Sequence, residues 1–570
     1  MNQFFLGYVS KVNAHRVSIH IPSSMYLNKF FHYGQVYHGG IINSYVVIEG
    51  ERMGFIGKIT SAEITERERL ELSSQKIKKG DFQPLLFVEI LANFDYYELN
   101  FRKSIVDFPN LGSKVYIANK SLIEKYISEI ELENHTPKTH VFAEVLSPHA
   151  DVTIDFSFQS LFSRHAAIVG TTGSGKSWTT SSLIYNLLEN KQKVILIDAT
   201  GEYANLAKKY CDNNNQVVLG ETHVLSYKKF SIEDLFNLLN PAPGVQAPKL
   251  KEAIKSLKLI PYCDDKEEVY VTDMGQNIKT IVKEGKERQP FLDLLNTNMA
   301  LISKDDCNFD IRALATQIEN ECIWPSPRGN YNKHLYGDTD EGTYGHCISL
   351  ITRIENLIQD DFHNKIFDFQ QSSDLPDLLD NLDDFIKKDH SNRNFLYIDV
   401  SKVPFSLEMR EIVVDIIGQK LLTHSRVGIF RDKPLTVFLD EAHQFLNKYV
   451  SKDDQPNKLM SFESIAKEGR KYGLFLSITT QLPRDIPVGI LSQIGTFIIH
   501  RLINQRDKEI IMHSLPSISN NIINYLPTLG QGEAIVSSNE FIDNLFVKIN
   551  EPKIEPKSNT PRYTEKNKKA

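Results

Sequence analysis

The chain has 570 residues, a formal net charge of −7, 24% charged residues and 41% hydrophobic residues. This length exceeds what one hydrophobic core supports, so it predicts two to four domains of ordinary globular composition. The net charge does not suggest a protein that coats DNA with a uniformly basic surface, but it is compatible with a motor whose positive charge lines a central channel.

Neither a membrane span nor a disulfide framework is predicted. The longest apolar runs, such as PLLFV, are far shorter than the about 20 residues that a spanning helix needs. The start of the chain lacks the basic segment, apolar run and cleavage site of a secretion signal. The five cysteines are scattered without a C-x-x-C pair, which argues against disulfides and against a zinc site. These features predict a cytoplasmic protein with no membrane contact.

Residues 1–145 predict a small all-β barrel. Short runs rich in β-branched and aromatic residues alternate with Gly, Asn and Pro. Those runs are FFLGYVSKV, RVSIHI, SYVVIEG, RMGFIGKIT, PLLFVEIL and SKVYIA. Closure into a barrel would remove the exposed edges of so many short strands.

Residues 146–225 and 391–550 predict an α/β core with a parallel sheet covered by helices, because strand-like and helix-like runs alternate there. The first part contains AAIVG, KSWTTSSLIYNLLEN and QKVILIDA, and the second contains NFLYIDV, SLEMREIVVDIIGQKLLTHS, LTVFLDE, LFLSITTQ and GTFIIHRL. Two further strand-like runs, EAIVSS and NLFVKI, close the core.

Residues 226–390 interrupt that alternation and predict a mainly helical insertion. Apolar residues recur there at three- and four-residue spacing. The runs are SIEDLFNLLN, KLKEAIKSLKLI, GQNIKTIVKEG, DIRALATQIENE and CISLITRIENLIQDDF. Residues 551–570 are polar and rich in Pro and Lys, which predicts a flexible C-terminal tail.

The segment GTTGSGKS follows the strand-like run HAAIV and precedes a helix-like run, which is the context of a phosphate-binding loop. Its glycines allow a tight turn that aims N–H groups at phosphate oxygens, aided by the positive end of the helix. Lys176 is expected to neutralise the β- and γ-phosphates of ATP, and the Ser177 hydroxyl to bind Mg²⁺. A chance match in a Gly/Ser loop is the alternative. The predicted nucleotide-binding residues are Gly170, Thr171, Thr172, Gly173, Ser174, Gly175, Lys176, Ser177 and Trp178.

The run LTVFLDEAHQF predicts a buried strand that ends in an acidic pair. Asp440 suits a water-mediated hold on Mg²⁺, and Glu441 is placed to orient or deprotonate the attacking water. Taken alone, such a pair is compatible with a simple helix cap. The next strand-like run ends at Gln481, which is expected either to contact the γ-phosphate or merely to form a turn.

Two arginines are candidates for stabilising transition-state charge, a task that a neighbouring subunit can perform. Arg164 precedes the strand before the phosphate loop, and Arg470 lies in AKEGRKYG. Arg470 is eleven residues before Gln481. A largely extended segment of that length spans roughly 30 Å at about 3.3 Å per residue, too far to reach the γ-phosphate of the same subunit. Either arginine is also compatible with a solvated surface position.

The order of the motifs resembles that of the HerA helicases, of the FtsK–HerA branch of P-loop ATPases. The motifs are the barrel, GTTGSGKS, DATGEY (198–203), FLDEAHQF, EGRKYG and TTQLPRDIP. The resemblance covers roughly residues 1–550. It implies a barrel like that of rotary ATP synthases, a RecA-like core with a helical insertion, and a homo-hexameric ring that pumps double-stranded DNA.

By the same resemblance, Arg470 matches the trans-acting arginine finger, Arg164 a second arginine near the nucleotide, and Gln481 the polar sensor. The chain has Ala199-Thr200 where family members often carry Pro-His. This departure leaves the role of Glu202 open.

Two functions are compatible with these features. The first is an ATP-driven DNA translocase or helicase, whose channel lysines could be Lys448, Lys452 and Lys458, although these also suit a solvated loop. HerA-like rings commonly work with a separate nuclease, and relatives occur in bacterial anti-phage systems beside a nuclease or a sirtuin-like NADase. The second function is therefore an ATP-responsive scaffold that activates such an effector. In either case the barrel is expected to dock the effector, or simply to hold the ring together. A membrane-coupled conjugation or secretion ATPase is disfavoured by the lack of an anchor.

Overall fold

The computed structural model describes residues 3–13, 16–64, 82–102, 107–131, 133, 135–146, 152–212, 214–263, 270–275, 278–327, 333–387, 394–404, 408–446, 460–515 and 520–557. Among these residues, no helix combines the length and the apolar character needed to cross a bilayer.

The first part of the chain folds into a closed antiparallel barrel. Its strands are β1 Phe5–Val12, β2 Arg16–His20, β3 Lys29–His32, β4 Gln35–His38, β5 Tyr45–Ile48, β6 Met53–Glu63, β7 Leu85–Asp95, β8 Phe101–Arg102 and β9 Lys114–Ile117. Six of them form the ring β2-β1-β9-β5-β6-β7, which closes because β2 pairs with both β1 and β7. Irregular register in β1 and β6 supplies the bends that closure requires. The predicted barrel is confirmed.

Alternate side chains of the barrel strands point into the barrel and form its hydrophobic core. In β2, Val17 and Ile19 point inwards and are fully buried, together with Leu6 of β1 and Val88 of β7. Strand β8 pairs only with β7, and β3 and β4 form a separate hairpin.

The remaining strands are β10 Ala143–Val145, β11 Val152–Ile154, β12 His165–Val169, β13 Lys193–Asp198, β14 Gln216–Val218, β15 Val271–Asp273, β16 Lys279–Ile281, β17 Phe395–Asp399, β18 Leu435–Leu439, β19 Leu474–Thr480, β20 Ile494–Ile499, β21 Glu533–Ser538 and β22 Leu545–Ile549. All except β15 and β16 belong to one 11-stranded sheet in the order β11-β10-β22-β21-β20-β12-β19-β18-β13-β17-β14. The strands from β20 to β14 are parallel, and the other four are antiparallel.

The parallel strands are buried on both faces, which explains their continuous apolar sequences. In β12, Ala167 and Val169 join the hydrophobic cluster that includes the insertion, while Ala166 and Ile168 join the cluster on the other face. The phosphate-loop strand β12 lies at the middle of the sheet, and β19 separates it from β18. The carboxyl end of β19 therefore lies between the phosphate loop and the acidic pair.

The helices are α1 Lys120–Ser128, α2 Phe158–Phe162, α3 Lys176–Glu189, α4 Ala204–Tyr210, α5 Ile232–Leu239, α6 Gln246–Leu259, α7 Arg288–Thr297, α8 Met299–Ile302, α9 Leu314–Glu321, α10 Glu341–Gln359, α11 Asp361–Phe367, α12 Leu378–Lys387, α13 Met409–Arg426, α14 Ser461–Glu468, α15 Val488–Leu491, α16 Gln505–Ser514 and α17 Asn520–Tyr525. Helices α5 to α12 form the insertion between β14 and β17. The predicted fold class, an α/β core with a mainly helical insertion after an all-β barrel, is confirmed.

Three local predictions need correction. Within the run GQNIKTIVKEG, residues 279–281 are not helical but form β16, which pairs with β15, and Gly275 has φ +96°. Helix α1 follows the barrel strands within residues 1–145, and its Ile123 and Tyr126 are buried in a cluster shared with the core. Residues 551–557, assigned to the flexible tail, lie against the core, with Pro552 and Pro556 buried.

Candidate nucleotide site

The phosphate loop turns at positions that only glycine fits. Gly173 and Gly175 have φ +71° and +117°, in the left-handed region that disfavours other residues. A Cβ on Gly170 would lie 2.6 Å from the Cβ of His500, and one on Gly175 would lie 3.1 Å from the backbone of Gly532. The loop is therefore packed against the ends of β20 and β21 and held in one shape.

Two backbone hydrogen bonds hold the loop in that place. The Thr171 N–H donates to the Arg501 carbonyl at 2.9 Å, and the Gly532 N–H donates to the Ser174 carbonyl at 2.9 Å. His500, which sequence reasoning missed, lies fully buried beneath the loop and bonds to the Thr179 hydroxyl at 2.8 Å. Its burial lowers the pKa of His500 to about 4, so the ring is neutral at neutral pH.

Lys176 begins α3 and is almost fully buried, with 6% of its surface exposed. Its Nζ donates to the Thr171 carbonyl at 3.1 Å, so the ammonium lies inside the loop. Burial lowers the pKa of Lys176, while the charges of Glu441, Asp440 and Glu202 oppose that shift. Trp178 is half-buried on the first turn of the same helix.

The acidic pair follows β18 as predicted. Asp440 is buried, accepts a hydrogen bond from the Tyr203 hydroxyl at 3.2 Å and lies 3.5 Å from the Thr200 hydroxyl. Burial, reinforced by repulsion from Asp198, Glu441 and Glu202, raises the pKa of Asp440 well above its usual range.

Glu441 is bound to the neighbouring strand end through Gln481. Its backbone is left-handed, with φ +46°, and its Oε1 accepts a hydrogen bond from the Gln481 amide nitrogen. The Gln481 amide oxygen accepts a hydrogen bond from the Thr172 hydroxyl at 2.5 Å. Gln481 therefore connects the phosphate loop to the predicted catalytic carboxylate. His443, which sequence reasoning also missed, lies with Nδ1 3.3 Å from the Glu441 Oε2.

Glu202, whose role the sequence leaves open, lies near the acidic pair and Lys176, because the charges of these groups act on one another. Burial raises the pKa of Glu202, while the Ser177 hydroxyl and the charge of Lys176 oppose that shift. The turn that carries it is fixed by Asp198, whose carboxylate accepts from the backbone N–H groups of Thr200, Gly201 and Tyr203. Thr200 thus stabilises this turn where family members often carry His.

The residues around the phosphate loop are suited to bind a Mg²⁺ ion that is also coordinated by the nucleotide. Ser177, Glu202, Asp440 and Glu441 bring a hydroxyl and three carboxylates around the phosphate loop, and the mutual repulsion of those carboxylates favours a cation. Among the described residues, no group of three or more His, Cys, Asp or Glu side chains is arranged to hold a metal alone. Phosphate oxygens of the nucleotide would have to supply the remaining ligands.

The structure does not bring Arg164 and Arg470 to this site. Both are exposed at the amino ends of β12 and β19, whereas the phosphate loop and Gln481 follow the carboxyl ends of these parallel strands. His165 fixes the segment near Arg470, because its ring bonds to the Ala466 carbonyl and the Leu476 N–H at 2.9 Å each. The predicted channel lysines Lys448, Lys452 and Lys458 lie outside the described residues.

Comparison with known proteins identifies two matching family models. The model described as the helicase HerA central domain matches residues 144–422, and the helicase HerA-like C-terminal model matches residues 425–544. Together they cover more than two thirds of the chain.

Individual relatives agree with these models. The chain is 27% identical to the DNA double-strand break repair helicase HerA of Sulfurisphaera tokodaii over 74% of the chain and 71% of that protein. It is 24% identical to a probable helicase of Methanocaldococcus jannaschii over 77% of the chain and 74% of that protein. Among solved structures, plasmid coupling protein TrwB covers 78% of the chain at 12% identity and a TM-score of 0.44, and the match spans 95% of TrwB. VirB4 of Thermoanaerobacter pseudethanolicus covers 73% at 16% identity and a TM-score of 0.38, with 97% of VirB4 matched.

Proposed function

The chain belongs to the HerA-type P-loop ATPases, and from this premise we propose that it is a ring-shaped motor that uses ATP to move along or unwind double-stranded DNA. One observation carries the proposal. Gln481 contacts both Thr172 of the phosphate loop and Glu441 of the acidic pair. A group in that position can respond to the γ-phosphate and transmit its presence to the residue that activates water.

In this mechanism each site residue has a distinct task. The loop N–H groups and Lys176 bind the phosphates, and Glu441 accepts the proton of the attacking water. Ser177 and Asp440 would hold Mg²⁺, and a bound Mg²⁺ would supply positive charge beside the phosphate oxygens. Gln481 orients Glu441, and the neutral His500 supports the loop from below.

The positions of the two arginines favour assembly into a ring. Arg164 and Arg470 are exposed at the sheet edge opposite the phosphate loop of their own chain. Neither arginine can therefore contact a nucleotide that is bound to the phosphate loop of its own subunit. In a ring, the exposed edge of one subunit would meet the nucleotide of the next, and the family resemblance implies six subunits.

The decisive experiment measures ATP hydrolysis with and without duplex DNA, together with displacement of a third strand from a triplex as a reporter of movement. The wild-type chain should hydrolyse ATP faster on duplex DNA and displace the third strand, and Lys176→Ala should do neither. A rate of ATP hydrolysis that does not change with DNA, together with no displacement of the third strand at any salt concentration, would contradict the proposed motor function.

A second candidate is an ATP-responsive scaffold for an effector, a nuclease or a sirtuin-like NADase, acting in anti-phage defence in the cytoplasm. Exposed apolar side chains on the barrel favour it: Tyr33 and Tyr97 are each 94% exposed, and Met25 is 72% exposed. Exposed groups of this kind often mark protein-binding surfaces. The barrel is then the docking face for the effector.

The two candidates differ in their need for hydrolysis. A Glu441→Gln ring should still activate the effector if the chain is a scaffold, but not if it is a motor. Docking is best tested with Phe31→Asp and Tyr33→Asp on the exposed hairpin. Deleting the barrel would instead unpack Tyr45 and Ile56, which belong to a hydrophobic cluster shared with the core. Unchanged co-purification of the effector with the hairpin variant would exclude this docking surface.

A further inference from the structure

His165 is the first residue of β12 and is only 1% exposed. The Leu476 N–H donates to its Nδ1 at 2.9 Å, and its Nε2 lies 2.9 Å from the Ala466 carbonyl oxygen. Burial lowers the pKa of His165 to about 4, and the charge of Arg470 acts in the same direction, so the ring is neutral at neutral pH. Because Nδ1 accepts a hydrogen bond, the proton of the neutral ring is on Nε2 and is donated to Ala466.

The two hydrogen bonds of this ring hold both ends of one continuous segment. Ala466 lies in the last turn of α14, where carbonyl groups have no partner within the helix, and Leu476 lies in β19. Arg470 is exposed between them, four residues after Ala466 and six before Leu476. A single buried side chain therefore fixes the start and the end of the segment that carries Arg470.

The middle of the segment is also restricted. Residues Gly469–Tyr472 form a short 3₁₀ turn, and the next residue, Gly473, has φ +80°. A Cβ on Gly473 would lie 2.1 Å from the Phe430 carbonyl oxygen, so the backbone of the turn packs directly against the chain that leads to β18. The Arg470 side chain is therefore presented from a turn with little backbone freedom.

We propose that His165 is a positioning residue for Arg470 and holds the turn in the place from which Arg470 reaches the nucleotide of a neighbouring subunit. His165 acts through Arg470 and not on the reacting atoms. Its effect on the rate is large because a shift of about 1 Å in a catalytic group can cost about 100-fold. The proposal rests on the shared site of the proposed ring, but not on movement along DNA.

Two effects of a change at His165 must be separated. Strand β12 begins at His165 and ends at Val169, directly before the phosphate loop. A change at His165 can therefore disturb Arg470, which acts in the neighbouring subunit, or the phosphate loop of its own subunit. Only the first effect is expected here.

The test variants are His165→Gln and His165→Asn. The Gln amide nitrogen matches Nε2 and keeps the bond to Ala466, whereas the Asn amide oxygen matches Nδ1 and keeps the bond to Leu476. Each variant loses one of the two bonds, and if one does not fold, the other is used. Each should bind ATP with an unchanged Kd and hydrolyse it with a kcat lowered by about 10–100-fold.

His424→Gln is the matched control. This histidine on α13 is also buried, and its Nε2 lies 2.7 Å from the Asp383 Oδ1 on α12, so the control too removes a buried histidine with a hydrogen bond. Its kcat should stay within twofold of the wild-type value even if its melting temperature falls.

Subunit mixing then identifies the subunit in which the loss arises. In a mixture of His165→Gln with Lys176→Ala, the intact phosphate loop of the first variant can meet the intact Arg470 of the second. Hydrolysis should therefore rise clearly above the sum of the two variants measured alone. In an Arg470→Ala background, His165→Gln should lower kcat no further, because the arginine that it positions is already absent.

Each failure has a distinct meaning. If mixing with Lys176→Ala restores hydrolysis by Arg470→Ala but not by His165→Gln, the damage lies in the phosphate loop of the same subunit and the proposal is overturned. A kcat within twofold of wild type in both His165 variants would reduce His165 to a structural brace and overturn it as well. If subunits exchange and Arg470→Ala itself is not restored, the shared site of the proposed ring is contradicted, and the role of His165 with it.

Discussion

Replacing Gln481 with Ala should slow ATP hydrolysis while leaving ATP binding nearly intact. The side chain donates to the Glu441 carboxylate and accepts from the Thr172 hydroxyl. A hydrogen bond to a charged group contributes about 1.5–3 kcal/mol, and a neutral one about 0.5–1.5 kcal/mol. If the bond to Glu441 is needed chiefly in the transition state, its loss lowers kcat by about 10–100-fold, since about 1.4 kcal/mol corresponds to a factor of ten.

The same reasoning predicts a smaller effect on kcat from loss of the hydrogen bond between Thr172 and Gln481. Thr172→Val removes only the neutral hydrogen bond, so kcat should fall by about 2–10-fold. Because the two bonds form one chain through Gln481, Thr172→Val should cost almost nothing further in the Gln481→Ala background.

The assay is steady-state ATP hydrolysis, with kcat and KM determined separately and nucleotide binding measured on the same samples. Gln505→Ala is a matched control, because this exposed glutamine donates to the Glu509 carboxylate on α16, outside the nucleotide site. The proposed link through Gln481 would be refuted if Gln481→Ala hydrolysed ATP within twofold of the wild-type rate. It would also be refuted if the effects of Gln481→Ala and Thr172→Val on kcat were fully additive.

Three further predictions concern other parts of the molecule. Glu441→Gln should bind ATP and turn it over very slowly, since an amide keeps the shape of the carboxylate but cannot accept a proton; hydrolysis near the wild-type rate would assign the base elsewhere. Arg470→Ala should assemble and bind ATP yet hydrolyse it about 10³–10⁵-fold more slowly, as for arginine fingers elsewhere, and mixing it with Lys176→Ala should restore some activity. If subunits exchange and no mixing ratio restores hydrolysis, the site is not shared. The third prediction concerns acid stability: the unfolded chain protonates His500 near pH 6.5, whereas the folded chain does so only near its lowered pKa of about 4. Stability from this residue is therefore complete above about pH 6.5 and falls by about 1.4 kcal/mol per pH unit below it. Between pH 6.5 and 5, wild-type chain should lose about 2 kcal/mol more than His500→Asn in unfolding measurements, because buried carboxylates act equally in both; parallel losses would contradict the role of this histidine.

Much of the site could be predicted from the sequence because its signals are local. A phosphate loop needs its glycines, lysine and serine within eight consecutive residues, and a buried strand followed by an acidic pair is equally compact. Gln481 could be proposed for the same reason, as the polar residue that follows a buried strand. In one run of the insertion the same kind of reasoning failed: the spacing of Ile278 and Ile281 suits a helix, but residues 279–281 form a strand that pairs with β15.

The sequence by itself determined the order of the domains, the identity of the phosphate loop and acidic pair, and the placement of Arg470 at the far end of its strand. Only the tertiary structure decided that His500 supports the loop through Thr179, and that residues 551–557 return to the turn after β13. The contacts of His500 with Thr179 and of Lys557 with Glu202 join residues more than 300 positions apart along the chain. Local periodicity reports which residues face a core, but the order of strands in a sheet is set by the packing of the whole chain.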